Sequence, residues 1–178
     1  MNTLPTPPSA VLARRVRELV DLFRDIERSR MAGVPVLHPG LHVDAAGFEL
    51  EFEPVAEAAA TGDDAQAIGI LITPWFMNLV VFPLARRDDT AGVGRSQARA
   101  VGCENFDFIG AHEPSFGSYA ACSLFSPMFE FADHAAASAT AQAVLATLRA
   151  PVAGVDRAKS PARRSFLLGR SSAAGAAP

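Results

Sequence analysis

Between Asp64 and Arg86 the chain carries no charge, and inside that interval lies Ile68-Gly69-Ile70-Leu71-Ile72-Thr73-Pro74-Trp75-Phe76-Met77-Asn78-Leu79-Val80-Val81-Phe82-Pro83-Leu84. Such a run has to be kept from water, and three arrangements would do it: a membrane span, a pair of core strands, or a hydrophobic surface held for a partner. A span requires about 20 apolar residues in one helix. Pro74 and Pro83 each remove a backbone donor, and Thr73 and Asn78 add polar groups that lipid would leave unpaired. The β-branched and aromatic residues on either side of Thr73-Pro74 predict instead two buried strands joined by a tight bend. The sequence's single Trp falls on that bend.

The flanking chain reads as helix, strands, helix. Leu12, Val16, Leu19, Phe23 and Ile26 recur at helical spacing and form one apolar stripe, while Arg14, Arg17, Arg24, Arg28, Asp21 and Asp25 occupy the other faces. Thr6-Pro7 supplies a start signal, and Gly33 followed by Pro35 a stop. Phe48-Glu49-Leu50-Glu51-Phe52-Glu53 alternates strictly, which predicts a strand with its aromatic and Leu side chains inward and Glu49, Glu51 and Glu53 outward. Ala56 to Gln66 reads as a polar loop, and Arg86 to Ala98 as an exposed charged one. A short strand is expected within Ala100 to Ile109 and another over Ser118 to Leu124. Asp133 is placed to cap a second helix reaching Ala150, with Ala137, Ala141, Val144, Leu145 and Leu148 on its buried side. A short third helix is expected over Arg163 to Leu168. The order predicts an α+β domain in which an N-terminal and a C-terminal amphipathic helix pack on an antiparallel sheet.

With 178 residues the chain suits one domain. It divides into a flexible arm over residues 1–9, the domain over 10–170 and a low-complexity tail over 171–178. A net charge of −3 gives no general affinity for nucleic acid. The charge is unevenly spread: Met31 to Gln66 holds seven acids and no Lys or Arg, whereas six bases and one acid follow Leu148. Arg14-Arg15 is followed by Arg17 and Glu18 rather than by an apolar run, so no secretory leader is expected, and the cytoplasm is the expected compartment.

Catalytic and metal signatures are missing. His38 and His42 are four apart, but Pro39-Gly40 between them prevents a shared helical face. Cys103 and Cys122 lack any C-x-x-C partner, so no metal site and no cofactor are expected; a transient redox role for either thiol stays open. There is no G-x-S-x-G, and Gly92-Val93-Gly94 is too short for a phosphate loop. No catalytic residue is assigned and an enzyme is disfavoured. What remains points to protein binding. Trp75, Phe76 and Met77 are candidate contacts if the bend brings them to an edge, and core packing is the alternative. Glu49, Glu51 and Glu53 could receive the arginines of a basic peptide, or be an ordinary solvated strand face. Arg163-Arg164-Ser165-Phe166-Leu167-Leu168 has the start of a twin-arginine export signal, though it sits far from the N-terminus. Arg163, Arg164 and Phe166 could mimic such a ligand, or dock as an amphipathic helix.

His38-Pro39, Ile72-Thr73-Pro74-Trp75-Phe76-Met77, Phe82-Pro83, Tyr119-Ala120-Ala121-Cys122-Ser123-Leu124-Phe125-Ser126-Pro127-Met128 and Arg163-Arg164-Ser165-Phe166-Leu167-Leu168-Gly169-Arg170, taken in order, closely resemble the HybE family of [NiFe]-hydrogenase assembly chaperones, also called HupJ or HoxT. The resemblance implies a cytoplasmic, non-enzymatic accessory protein for uptake-hydrogenase maturation. Its partners would be the hydrogenase small or large subunit precursors, with proofreading of the small subunit that bears the twin-arginine signal. The alternative within the same family is a redox or metal-handling accessory that protects the small subunit's iron–sulfur clusters during assembly in oxygen. Some relatives carry a fused rubredoxin. The two cysteines here are too few for one, so any rubredoxin partner would be separate. Pro54 to Ala67 reads as a lengthened loop, and the family supplies no catalytic residues.

Overall fold

A computed structural model of the chain describes residues 8–51, 65–102 and 104–150. Two helices, α1 (Pro8–Ser29) and α2 (His134–Arg149), enclose six strands: β1 (Asp44–Glu51), β2 (Gln66–Ile72), β3 (Met77–Pro83), β4 (Ser96–Val101), β5 (Glu104–Glu113) and β6 (Gly117–Phe125). The strands form one sheet in the order β1-β2-β3-β6-β5-β4, every neighbouring pair antiparallel. This is the α+β architecture expected from the sequence, with the charge-free stretch as the β2–β3 hairpin.

That hairpin is buried on both faces, and the alternation of side chains along it sorts them into two cores. Ile68, Ile70, Ile72, Met77, Leu79 and Val81 point to one side, where Ala137, Ala141, Leu145 and Leu148 of α2 cover them. Ala67, Leu71, Val80 and Phe82 point to the other, under Leu19, Leu22 and Phe23 of α1. The apolar stripe read from the sequence is therefore the buried face of α1. Arg15 joins it with 3% of its side chain exposed. Its guanidinium donates to Glu18 at 2.8 Å and to the Phe116 carbonyl at 3.1 Å, and lies 3.9 Å from the centroid of the Phe116 ring. A buried arginine is tolerated when charge, hydrogen bonds and an aromatic face compensate its lost hydration. Asp133 caps α2 as expected, accepting the Ala136 N–H at 2.8 Å.

Strand β1 begins four residues before the alternating segment and changes its facing midway. Its register with β2 slips between Ala46 and Glu49, at a bulge containing Gly47 with φ +58°. Beyond the bulge, Phe48 and Leu50 pack on the α1 side, while Glu49 and Glu51 face the α2 side. The expected solvated acidic face is thus corrected: helices cover both sides of this sheet, and the carboxylates meet arginines. Arg149 of α2 donates to Glu49 at 2.8 Å. Arg99 of β4 donates to Glu51 at 3.2 Å through Nε, forms a second ion pair with it through Nη2, and donates to Gln66 at 2.8 Å.

The Arg99–Glu51 pair also reports the shape of the sheet. In a flat six-stranded sheet the two edge strands would lie about 24 Å apart, five spacings of roughly 4.8 Å. One arginine spans β4 to β1 here, so the sheet is rolled until its edges approach, with α2 inside the curve. Edge strands screened this way are less open to pairing with other chains. A further correction concerns residues 96–109. The exposed loop and single short strand expected there are the hairpin of β4 and β5, paired from Ser96↔Ile109 to Val101↔Glu104.

Gly69 sits beneath Phe48, and a Cβ built there would lie 2.4 Å from the ring. Gly69→Ala is expected to lower stability by about 1–3 kcal/mol through overpacking. The cost should shrink when Phe48→Ala is added. Thermal melts of the two single variants and the double measure this coupling, and additive losses would contradict the packing assignment.

Candidate functional site

The bend at the centre of the charge-free stretch is a four-residue turn from Thr73 to Phe76. Thr73 is fully buried. Its backbone N–H donates to the Phe76 carbonyl at 2.8 Å, and its hydroxyl donates to the same oxygen at 2.9 Å. The hydroxyl also accepts the N–H groups of Phe76 at 2.9 Å and Trp75 at 3.3 Å. The side chain thus satisfies donors that the turn would otherwise leave unpaired. Pro74, which has no donor to lose, lends its carbonyl to the His38 N–H at 2.9 Å.

This turn places Trp75 and Phe76 half-buried beside the C-terminal half of α1. Phe23 is the hub: its ring centroid lies 6.4 Å from Trp75, 5.7 Å from Phe76 and 6.2 Å from Tyr119, with the last two edge-on. Met77, by contrast, has no exposed surface and belongs to the α2-side core. It is withdrawn from the residues a partner can touch, because the first strand position after the turn points inward.

Two further loops reach the same end. The His38 ring packs 6.2 Å from Phe129, whose side chain is 56% exposed, and Val34 is also exposed. The Ser126 hydroxyl donates to the Trp75 carbonyl at 3.4 Å. Val34 to Pro39, Pro74 to Phe76 and Ser126 to Phe129 therefore form one apolar, aromatic end. Sequence reading singled out Trp75 and Phe76 but missed Phe129. The signal available was an aromatic directly after Ser126-Pro127-Met128, in a segment read only as the close of a strand.

The other expected residues are distributed as follows. Glu49 keeps half of its side chain exposed beside Arg149, whereas Glu51 is mostly enclosed with Arg99. Glu53, Cys103, Arg163, Arg164 and Phe166 lie outside the described residues. Cys122 is partly buried on β6, facing the α2-side core. Burial pushes its thiol pKa up, and the Asp107 carboxylate pushes the same way, against a weaker opposing hydrogen bond from the Asp107 backbone. Redox-active thiols have depressed pKa values, so this environment is the reverse of an activated one. A third group went unseen in the sequence: His42, Asp44 and His134 converge across 90 residues of chain.

No helix among the described residues is long and apolar enough to cross a membrane. What the domain offers is a rigid sheet presenting an aromatic end assembled from three loops, a surface suited to protein recognition. Comparison with known proteins places it. Residues 14–169 match the family described as [NiFe]-hydrogenase assembly, chaperone, HybE. The chain is 49% identical over 165 residues to Protein HoxT of Cupriavidus necator, covering 88% of this chain and 89% of that one. It is 35% identical to the hydrogenase expression/formation protein HupJ of Bradyrhizobium diazoefficiens, covering 85% of each. A probable rubredoxin HupJ of Rhodobacter capsulatus is 30% identical over 75% of this chain and 44% of its own length. The solution structure of HybE from Escherichia coli has the same fold, with a TM-score of 0.51 and 21% identity over 89% of this chain and 91% of that one. The chain belongs to the HybE family of [NiFe]-hydrogenase assembly chaperones, and its role is that of an accessory factor in hydrogenase formation.

Two measurements check the local environments. Tyr119 is the sequence's single tyrosine, and its pKa is pushed up to about 12, chiefly by burial and then by Glu113, with Arg30 opposing. An ultraviolet titration should show phenol ionisation near that value. The unfolded chain ionises first, nearer 10, so the stability due to neutral Tyr119 is intact below that pH and is lost as pH rises towards 12. In a Cys103→Ser chain, iodoacetamide should alkylate Cys122 several-fold more slowly at pH 8 than it alkylates a free cysteine.

Proposed function

We propose that this chain is a non-enzymatic, cytoplasmic chaperone that holds a hydrogenase small-subunit precursor, the one bearing a twin-arginine signal, before export. The contact surface in this reading is the end formed by Trp75, Phe76, Phe129 and Val34. The observation that carries it is the convergence of three loops at one end of the sheet, where Phe129 is exposed and Trp75 and Phe76 are half-buried, in a protein of the hydrogenase-assembly family. Large rigid aromatics bury much area at little entropic cost, which is why they dominate protein recognition. The rolled sheet favours the same role, because it holds the loops without conformational search and reduces the ordering cost of binding. Of the two described carboxylates, Glu49 is half exposed where Glu51 is enclosed, so Glu49, beside its Arg149 partner, is the one open to a client arginine.

Phe129 is the residue to test first, since it touches little of the core. Phe129→Ser should leave the melting temperature nearly unchanged and weaken binding of purified small-subunit precursor by about tenfold, the equivalent of 1.4 kcal/mol. Trp75→Ala should weaken it further, with some loss of stability because its contact with Phe23 goes too. Calorimetric titration of wild type and both variants against small- and large-subunit precursors measures this. Undiminished affinity in Phe129→Ser, or binding of the large subunit alone, would overturn the assignment.

A further inference from the structure

The described residues gather one set of side chains with metal-ligand chemistry, away from the aromatic end. His42 and Asp44 flank Val43, whose side chain is sealed into the α1-side core. The two therefore share the opposite, α2-facing side of the chain as it enters β1. His134 is the first residue of α2, brought there by the Asp133 cap. The imidazole centroids of His42 and His134 are 3.5 Å apart with 23° between their planes. His134 Nε2 is 3.4 Å from Asp44 Oδ2, and one ligand atom from each of the three residues lies within 4.8 Å of the others.

Ordinary packing leaves this group poorly satisfied. A charge-assisted N–H···O bond is about 2.7–2.9 Å long, so the 3.4 Å His134–Asp44 contact is a loose one. Nδ1 of His134 is buried and lacks a hydrogen-bond partner. No protein group holds a proton on Nδ1; Asp44 Oδ2, beside Nε2, loosely favours it there, and a cation bound between Nε2 and the carboxylate takes that proton's place, leaving the ring's proton on Nδ1. His42 is exposed, and its ring is engaged by stacking rather than by a hydrogen bond among the described residues.

We propose that His42, Asp44 and His134 form a binding site for a divalent first-row transition ion with zinc's ligand preference. Two imidazole nitrogens and a carboxylate oxygen are the mixed donor set that such ions take, and three protein ligands leave a fourth position to solvent. Tetrahedral coordination at roughly 2.0–2.1 Å needs ligand atoms about 3.4 Å apart. The present ligand atoms, within 4.8 Å of one another, reach that spacing when one ring turns. The stack must open as it does, because an ion lies near the plane of each imidazole it binds. His42 is the ring free to turn. The N-terminus of α2 opposes a cation, and the carboxylates of Asp44 and Asp133 counter it. A bound ion ties the first turn of α2 to the start of β1, and so stabilises the folded chain by mass action. This inference is independent of the client-binding reading.

The test uses the full-length chain without an affinity tag. Calorimetric titration with Zn²⁺ should give one ion per chain, and Co²⁺ should give visible absorption of a tetrahedral site. His42→Ala is the leading variant, since its side chain is exposed and its loss leaves the core intact; Asp44→Asn preserves shape, and His134→Ala completes the set. Each should weaken Zn²⁺ binding by tenfold or more. A His38→Ala/His112→Ala double variant, lacking the other two histidines of the sequence, should bind as wild type does. Zn²⁺ should raise the melting temperature of wild type and of the double variant but not of His42→Ala. Absence of Zn²⁺ binding in wild type, or binding undiminished in both His42→Ala and His134→Ala, would overturn the proposal.

Discussion

The structure depends on keeping both faces of one hairpin dry. From Ala67 through Pro74 every residue is buried, and most of β3 follows suit. Full burial of a Leu, Ile, Val or Phe side chain stabilises by about 1.5–3 kcal/mol relative to exposure, so a helix on one side alone would forfeit half of that gain. Two helices of different character supply the cover. The α1 helix lays a broad stripe of Leu19, Leu22 and Phe23 on the outside of the curved sheet. The α2 helix presents Ala137 and Ala141, whose small side chains let it settle inside the curve.

The curvature has consequences for every charged residue near β1. Glu51 closes the sheet through Arg99, and Glu49 holds the last turn of α2 through Arg149. Two carboxylates that would form an open acidic strip on a flat sheet instead act as fasteners between its edge and its neighbours. The same geometry frees the far end. The turn at Thr73 is braced by its own hydroxyl, and it leaves Trp75 half-buried against Phe23. Within five residues the burial changes: Thr73 and Met77 are fully buried, whereas Trp75 and Phe76 are half-buried against the α1-side core.

Legibility in the sequence followed burial. The central hairpin, the two helices and β6 are written in apolar periodicity, because a residue that loses water leaves a pattern at the spacing of its element. Strand β4, Ser96-Gln97-Ala98-Arg99-Ala100-Val101, reads as loop because it is an edge strand with little burial, and its Arg99 works through a pairing that no local pattern marks. The first half of β1 is hidden by the bulge at Gly47, which breaks the alternation that would have announced it. Among site residues, the turn was legible from Thr-Pro-Trp in an apolar run. Phe129 was not, since its exposure follows from how three loops meet.

The charge-free stretch, its paired prolines and the alternation within it were enough to dictate a buried hairpin, flanking amphipathic helices and a bend carrying the sole tryptophan. These are local consequences of backbone geometry and the cost of wetting apolar surface, and they hold for any arrangement the rest of the chain adopts. Which arginines Glu49 and Glu51 meet, whether Met77 is surface or core, and that His134 comes to lie on His42 are different in kind. Each depends on the roll of the sheet and the seating of α2, and therefore on contacts between residues as far as 102 positions apart. Such contacts follow from the packed whole and leave no trace in the spacing of neighbours.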